Sequence, residues 1–183
     1  MTKYYFVRHG ESEANKIGVF AGWYNSPLSE LGVSQAKDLA HEIKESGLLF
    51  DCIFSSSLSR ALDTANVIAE TIDYPTHKII VDDDLREKSG GSFENKPRTE
   101  IYSATEEQVR AAGGEDANMF MDRVIKAKKN IVEKSFGMNN VLIVAHSGLH
   151  KMNIVINSGS KNATDVYDVK VPENADLIEF PMN

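Results

Sequence analysis

Arg8-His9-Gly10 follows a short apolar run, Tyr4-Tyr5-Phe6-Val7. The arrangement returns far along the chain, where Val141-Leu142-Ile143-Val144-Ala145 stops at His146-Ser147-Gly148. Runs of this kind read as buried strands, and in an open α/β sheet ligands bind at the carboxyl ends of strands. Each run therefore delivers a histidine to a binding edge, the first with an arginine in front of it. Arg60 falls in the first turn of the helix expected after Ser57, and Glu87 in a loop after another expected strand. A phosphate monoester brings about two negative charges. Arg8 and Arg60 offer fixed forks of donors matched to phosphoryl oxygens, and arginine keeps its charge. The N-termini of the helices after Ser57 and His146 would add backbone N–H donors and the positive ends of their dipoles. Such a pocket binds anions with no metal and no cofactor.

The elements that must hold these groups alternate. A strand over about Lys3 to Val7 leads into a loop through Gly18, Gly22, Asn25 and Pro27, too rich in turn formers for a helix. Ser29 reads as the N-cap of a helix with Ala36, Leu39, Ala40 and Ile43 on one face and Gly47 near its end. A second strand spans Asp51 to Ser55. Ser57 is the expected cap of the next helix, whose face carries Leu58, Ala61, Leu62, Ala65, Ile68, Ala69 and Ile72, with Pro75 beyond. Lys78 to Val81 reads as a third strand, and the glycines and charges from Asp82 to Gly91 as a surface loop. A helical excursion at about 93–114, helical from Pro97 to Arg110, closes at Gly113 and Gly114. A long helix from Glu115 to Phe136 then buries Ala117, Phe120, Val124, Ala127 and Ile131. The helix after His146 runs to about Asn157, and Val166 to Val171 and Leu177 to Phe180 add edge strands. The pattern predicts a three-layer α/β/α sandwich with a mostly parallel central sheet.

At 183 residues, with 42% hydrophobic and 26% charged, the chain fits a single domain with a sizeable core, residues 1–183. Its net charge of −7 argues against nucleic acid and anionic membranes as partners, so any attraction for anions must be local. Cys52 stands alone in an apolar run and reads as a small buried hydrophobe. The lack of a leader-like or membrane-length apolar run makes a soluble, cytoplasmic protein the expectation.

The motifs resemble the histidine phosphatase superfamily, which includes the cofactor-dependent phosphoglycerate mutases and many small phosphatases. The matching pieces are Arg8-His9-Gly10-Glu11 with Asn15, and Gly22-Trp23-Tyr24-Asn25-Ser26-Pro27-Leu28-Ser29-Glu30-Leu31-Gly32 with Gln35-Ala36. They continue through Ser55-Ser56-Ser57-Leu58-Ser59-Arg60-Ala61 with Thr64-Ala65, Leu85-Arg86-Glu87 with Gly91 and Glu94, Gly114-Glu115, and Ala145-His146-Ser147-Gly148. The resemblance implies a phosphoglycerate mutase-like fold and a phosphohistidine intermediate. His9 would be the nucleophile, and Arg8, Arg60 and His146 would hold the phosphoryl oxygens with help from Asn15. Glu87 would protonate the leaving alkoxide and then help deprotonate the attacking water. Physical chemistry agrees: phosphoryl transfer needs positioning and charge stabilisation, and neighbouring guanidiniums keep His9 neutral and nucleophilic.

Three motifs depart from the family pattern, at four positions. Ala145 and Ser147 stand where glycines flank the last histidine, and Ser147 adds a hydroxyl donor to the phosphate pocket. Ala21 replaces a polar residue, and Asn95 a glycine. Gly22 and Trp23 are candidates for the substrate mouth, with packing the alternative for Trp23. His41, His77 and His150 read as surface or packing residues, and no metal site is expected.

The leading reading is a phosphomonoesterase acting on a small-molecule phosphate ester. Two alternatives stand beside it. One is a mutase-type isomerase, although mutases are generally longer between the acid and the last histidine; the other is a non-catalytic phospholigand-binding module. Edge strands near the C-terminus permit a homodimer.

Overall fold

The computed structural model describes residues 1–182, which form a central sheet with helices on both faces. Its strands are β1 (Lys3–Arg8), β3 (Cys52–Ser56), β4 (Ile80–Asp82), β6 (Asn140–Ala145) and β7 (Leu177–Glu179), in the order β4-β3-β6-β1-β7. All neighbouring pairs are parallel except β1 with β7. Alternation along each strand makes the layers. Phe6, Phe54, Val141, Ile143 and Ala145 point to one side, against α6 (Ala117–Lys134) and α7 (Ser147–Asn157). Val7, Ile53, Leu142 and Val144 point to the other, against α2 (Glu30–Ser46) and α3 (Ser59–Thr71). Side chains at β6 are buried from Val141 through Ala145, as a strand covered on both faces requires.

The expected helix faces bury as the periodicity demands: Ala36, Leu39, Ala40 and Ile43 on α2, and Ala117, Phe120, Val124, Ala127 and Ile131 on α6. Ser29 caps α2 through Gly32 N, and Gly47 ends it in the left-handed conformation at φ 71°. Cys52 is buried in the core.

Several local readings are corrected. Val166 to Val171 is no strand: Ala163–Asp168 is a 3-10 helix started by Asn162, whose side chain accepts from Thr164 N. Asn and Asp side chains bonding nearby backbone and one another outweigh the β-propensity of the valines there. Ser57 does not cap α3. Leu58 occupies the N-cap with no side-chain bond, while the Ser57 hydroxyl accepts from Arg86 Nε at 2.7 Å. The third strand begins later than Lys78 because Pro75 opens a 3-10 turn over Thr76–Lys78.

The turn-rich stretch after β1 holds a short helix, α1 (Glu13–Lys16), and a short strand, β2 (Val19–Phe20). The excursion is two helices, α4 (Arg98–Tyr102) and α5 (Glu106–Ala111), because Thr105 starts a fresh capping box with Gln108. Strand β5 (Lys96–Pro97) pairs with β2 and anchors the excursion beside the site. No helix among the described residues is long and apolar enough to cross a membrane.

Candidate active site

Register brings the two histidines together. In the parallel pairing of β1 with β6, Arg8 lies opposite Ala145, so His9 and His146 each stand one residue past a matched pair. The bond from His9 N to Ala145 O, 3.0 Å, carries the ladder to that point. Their rings sit 5.0 Å apart between centroids, and both are buried. Behind His9 the packing is backbone on backbone. A Cβ on Gly10 would lie 2.3 Å from Gly32 O, so the Arg-His-Gly turn can rest on the start of α2 only with glycine there.

The tautomer of His9 follows from its neighbours. Nδ1 lies 2.7 Å from Gly10 O, and a carbonyl can only accept, so Nδ1 carries the proton and Nε2 the lone pair. Arg60 Nε points its N–H at that Nε2 from 3.3 Å. Arg60 is itself 1% exposed, with Nη1 donating to Tyr24 O at 3.1 Å and Nη2 to Gly22 O at 2.8 Å. Burial, and then the Arg60 charge, holds the His9 imidazole well below its usual range. His146 is lowered likewise by burial first and Arg60 second. Burial pulls Arg60 down to about 10, which leaves it charged at neutral pH, with Glu87 and Glu94 opposing the shift.

Two buried polar atoms at this edge have no protein partner. They are Arg8 Nε and His146 Nδ1; the other ring nitrogen, His146 Nε2, bonds the Ser56 hydroxyl at 2.8 Å. Arg8 lines the cleft, where an orphaned donor can meet a ligand's oxygens, whereas His146 is fully buried and lies off the cleft lining. Arg8 is steered by Nη1 donating to Pro172 O at 2.7 Å, and burial lowers its pKa. Asn15 lines the cleft and spends its Oδ1 on the amide and hydroxyl of Ser12.

Glu87 caps the start of α7. Its Oε2 accepts from Gly148 N at 3.1 Å and from the Ser147 hydroxyl at 3.3 Å, and its Oε1 from Lys88 N at 2.9 Å. A Cβ on Gly148 would come within 2.0 Å of Glu87 Oε1, so glycine is what admits the carboxylate. This alters one expectation: Gly148 N is already bonded to Glu87 and Ser59 N to Asn25 Oδ1, so these amides do not face a ligand freely.

Arg8, His9, Asn15, Arg60, Glu87 and Ser147 line one cleft of about 190 Å³, and Gly22 contributes to its wall. Trp23 does not. It stands 39% exposed and donates from Nε1 to Glu87 O at 2.7 Å. His41 and His77 are exposed, and His150 packs against both Phe6 and Phe180.

Sequence reasoning missed Arg98, Lys88 and Lys151, which add positive charge to the cleft. It also missed the segment after Val171, where Asn174 Nδ2 holds His9 O and Ala175 N holds Arg8 O. Nothing in the local sequence marks Arg98 beyond its charge. The cap at Asn162 was a readable sign that the chain turns there.

An α/β sheet whose edge sets a neutral histidine among guanidiniums, with a carboxylate on the adjoining helix end, defines a protein built to handle phosphoryl groups. The model of the histidine phosphatase superfamily (branch 1) matches residues 4–178, and the chain belongs to that family. A 2,3-bisphosphoglycerate-dependent phosphoglycerate mutase from Parvibaculum lavamentivorans is 33% identical over 151 residues, 76% of this chain and 72% of the relative. Among solved structures, Bacillus stearothermophilus YhfR superposes with a TM-score of 0.83 at 25% identity, covering 97% of this chain and 89% of that one. The alpha-ribazole phosphatase from Shigella flexneri shares the fold with a TM-score of 0.80 at 24% identity, covering 96% of this chain and 88% of that one.

Proposed function

We propose that this chain hydrolyses a small phosphate monoester in two displacements through phosphohistidine at His9. The observation that carries the reading is the Nε2 lone pair of His9, fixed by Gly10 O and faced by Arg60. In the first displacement Nε2 attacks phosphorus while the bond to the ester oxygen breaks, and Glu87 in its acid form gives that oxygen a proton, releasing the alcohol. In the second, water attacks the phosphoryl group and Glu87 takes its proton. The N–P electron pair returns to Nε2 and inorganic phosphate leaves. Arg8, Arg60, His146 and Asn15 hold the phosphoryl oxygens, and their fixed charges stabilise both transition states.

The cleft's size favours a small ester, and Arg98 and Lys151 on its wall favour one with a second anionic group. A mutase reading draws support from the Parvibaculum relative. Isomerisation requires the phosphoryl group to be kept from water while the substrate reorients. Tyr102, on the wall, is 73% exposed, which supports access for water and hence hydrolysis. Assaying phosphate release beside conversion of 3- to 2-phosphoglycerate separates the two. Steady release from members of an ester panel is the expected result, and efficient isomerisation with negligible release overturns it.

A further inference from the structure

Glu87 acts through a carboxylate, yet the residues that decide where it stands grip its backbone. Arg123, on α6 and outside the cleft, spends all five of its N–H donors. Nε donates to Glu115 Oε1 at 2.7 Å, Nη1 to Asp84 O at 2.9 Å and Arg86 O at 2.8 Å, and Nη2 to Glu87 O at 2.9 Å and Glu115 Oε2 at 2.6 Å. Glu115 Oε2 in turn accepts from Ser89 N at 2.8 Å. One ion pair thus fixes four backbone atoms in the six-residue stretch that carries Glu87. Both side chains are 12% exposed, so water offers little substitute.

A second donor reaches the same carbonyl. Trp23 Nε1 donates to Glu87 O at 2.7 Å, its amide donates to Glu94 Oε1 at 2.9 Å, and the guanidiniums of Arg86 and Arg123 lie 5.1 and 5.8 Å from its ring. The residues on either side of Trp23, Gly22 and Tyr24, supply the carbonyls that hold Arg60. One turn therefore ties the phosphoryl-holding guanidinium to the backbone of the acid.

From this we infer that Arg123, clamped by Glu115 and seconded by Trp23, is a positioning residue for the acid step. It sets the reach of the Glu87 carboxylate and touches neither substrate nor phosphoryl group. A planar fork of five donors can serve three carbonyls and a carboxylate at once, which the three donors of an ammonium cannot. The inference rests on the hydrolytic reading of the site, in which Glu87 protonates the leaving group.

The test compares two substrates, p-nitrophenyl phosphate, whose leaving group needs no proton, and an alkyl phosphate drawn from the ester panel, which does. Glu87→Gln comes first. Selective slowing of the alkyl ester establishes the acid role, and equal slowing of both removes the reading on which the inference rests. Given that role, Arg123→Lys should lower kcat/KM for the alkyl ester at least tenfold more than for p-nitrophenyl phosphate, with KM nearly unchanged. Trp23→Phe should show the same selectivity in weaker form. Because a lone buried Glu115 can unfold the protein, Glu115→Gln/Arg123→Met, which removes both charges together, serves as the second variant. A general loss of stability with equal slowing of both esters, or no effect on either, would leave the pair a structural ion pair and overturn the inference.

Discussion

The Nε of Arg60 lies 3.3 Å from the Nε2 of His9, with its donor aimed at the lone pair that would attack phosphorus. A cation so placed keeps the imidazole neutral and, in the proposed reaction, stands beside the phosphoryl group being transferred. It is held there by the carbonyls of Gly22 and Tyr24, which accept from its other two nitrogens.

Replacing Arg60 should therefore cost transition-state stabilisation more than substrate binding. Arg60→Ala is expected to lower kcat by about 10²–10³-fold, the usual effect of deleting a preorganised donor at a developing charge. Arg60→Lys should recover little, since an ammonium cannot reach His9 and both carbonyls together. Steady-state kinetics on p-nitrophenyl phosphate checks this; a loss confined to KM would make Arg60 a ground-state contact.

Gly148→Ala places a methyl within 2.0 Å of Glu87 Oε1 and forces the carboxylate off the start of α7. Alanine is the better helix former, by roughly 0.5–1 kcal/mol, so folding should survive the change. The expected signature is an enzyme of undiminished melting temperature that is slow on alkyl phosphates and nearly normal on p-nitrophenyl phosphate. Uniform activity on both would show that the acid does not need its place beside Gly148.

How much of this was legible in the residues differs from element to element. Valine, leucine and isoleucine in an unbroken run announced β6, and α2 and α6 announced themselves by periodicity. Their ends gave the positions of His9 and His146, and strand register did the rest. The clamp on Glu87 was not legible. Arg123 sits on a helix face and contacts carbonyls, which carry no side-chain signature, so only the folded chain relates it to residues near Glu87. The segment from Ala163 to Asp168 misled because its valines favour a strand, whereas Asn162 and Asp165 settle the backbone through hydrogen bonds.

Both buried histidines should make stability depend on pH. Each is held below its usual range by burial and by Arg60, whereas in the unfolded chain each takes up a proton near pH ~6.5. Between that pH and the lower folded-state values the unfolded chain binds more protons, so stability rises with pH there. The contribution is complete above about pH 6.5 and drains away as pH falls through the folded-state values. Melting temperatures should fall on acidification below about pH 6.5, less steeply in His9→Asn/His146→Gln than in the native protein. Imidazole resonances of His9 and His146 that titrate at about pH 6.5 in the folded protein would contradict this.

The proposed phosphoryl transfer to His9 is most directly tested by rapid quench of the enzyme with a ³²P-labelled ester, followed by alkaline work-up and peptide mapping. The expected result is label on the peptide containing His9, formed before phosphate is released and missing from His9→Ala. Turnover at the native rate with no labelled protein, or label that persists in His9→Ala, would contradict it.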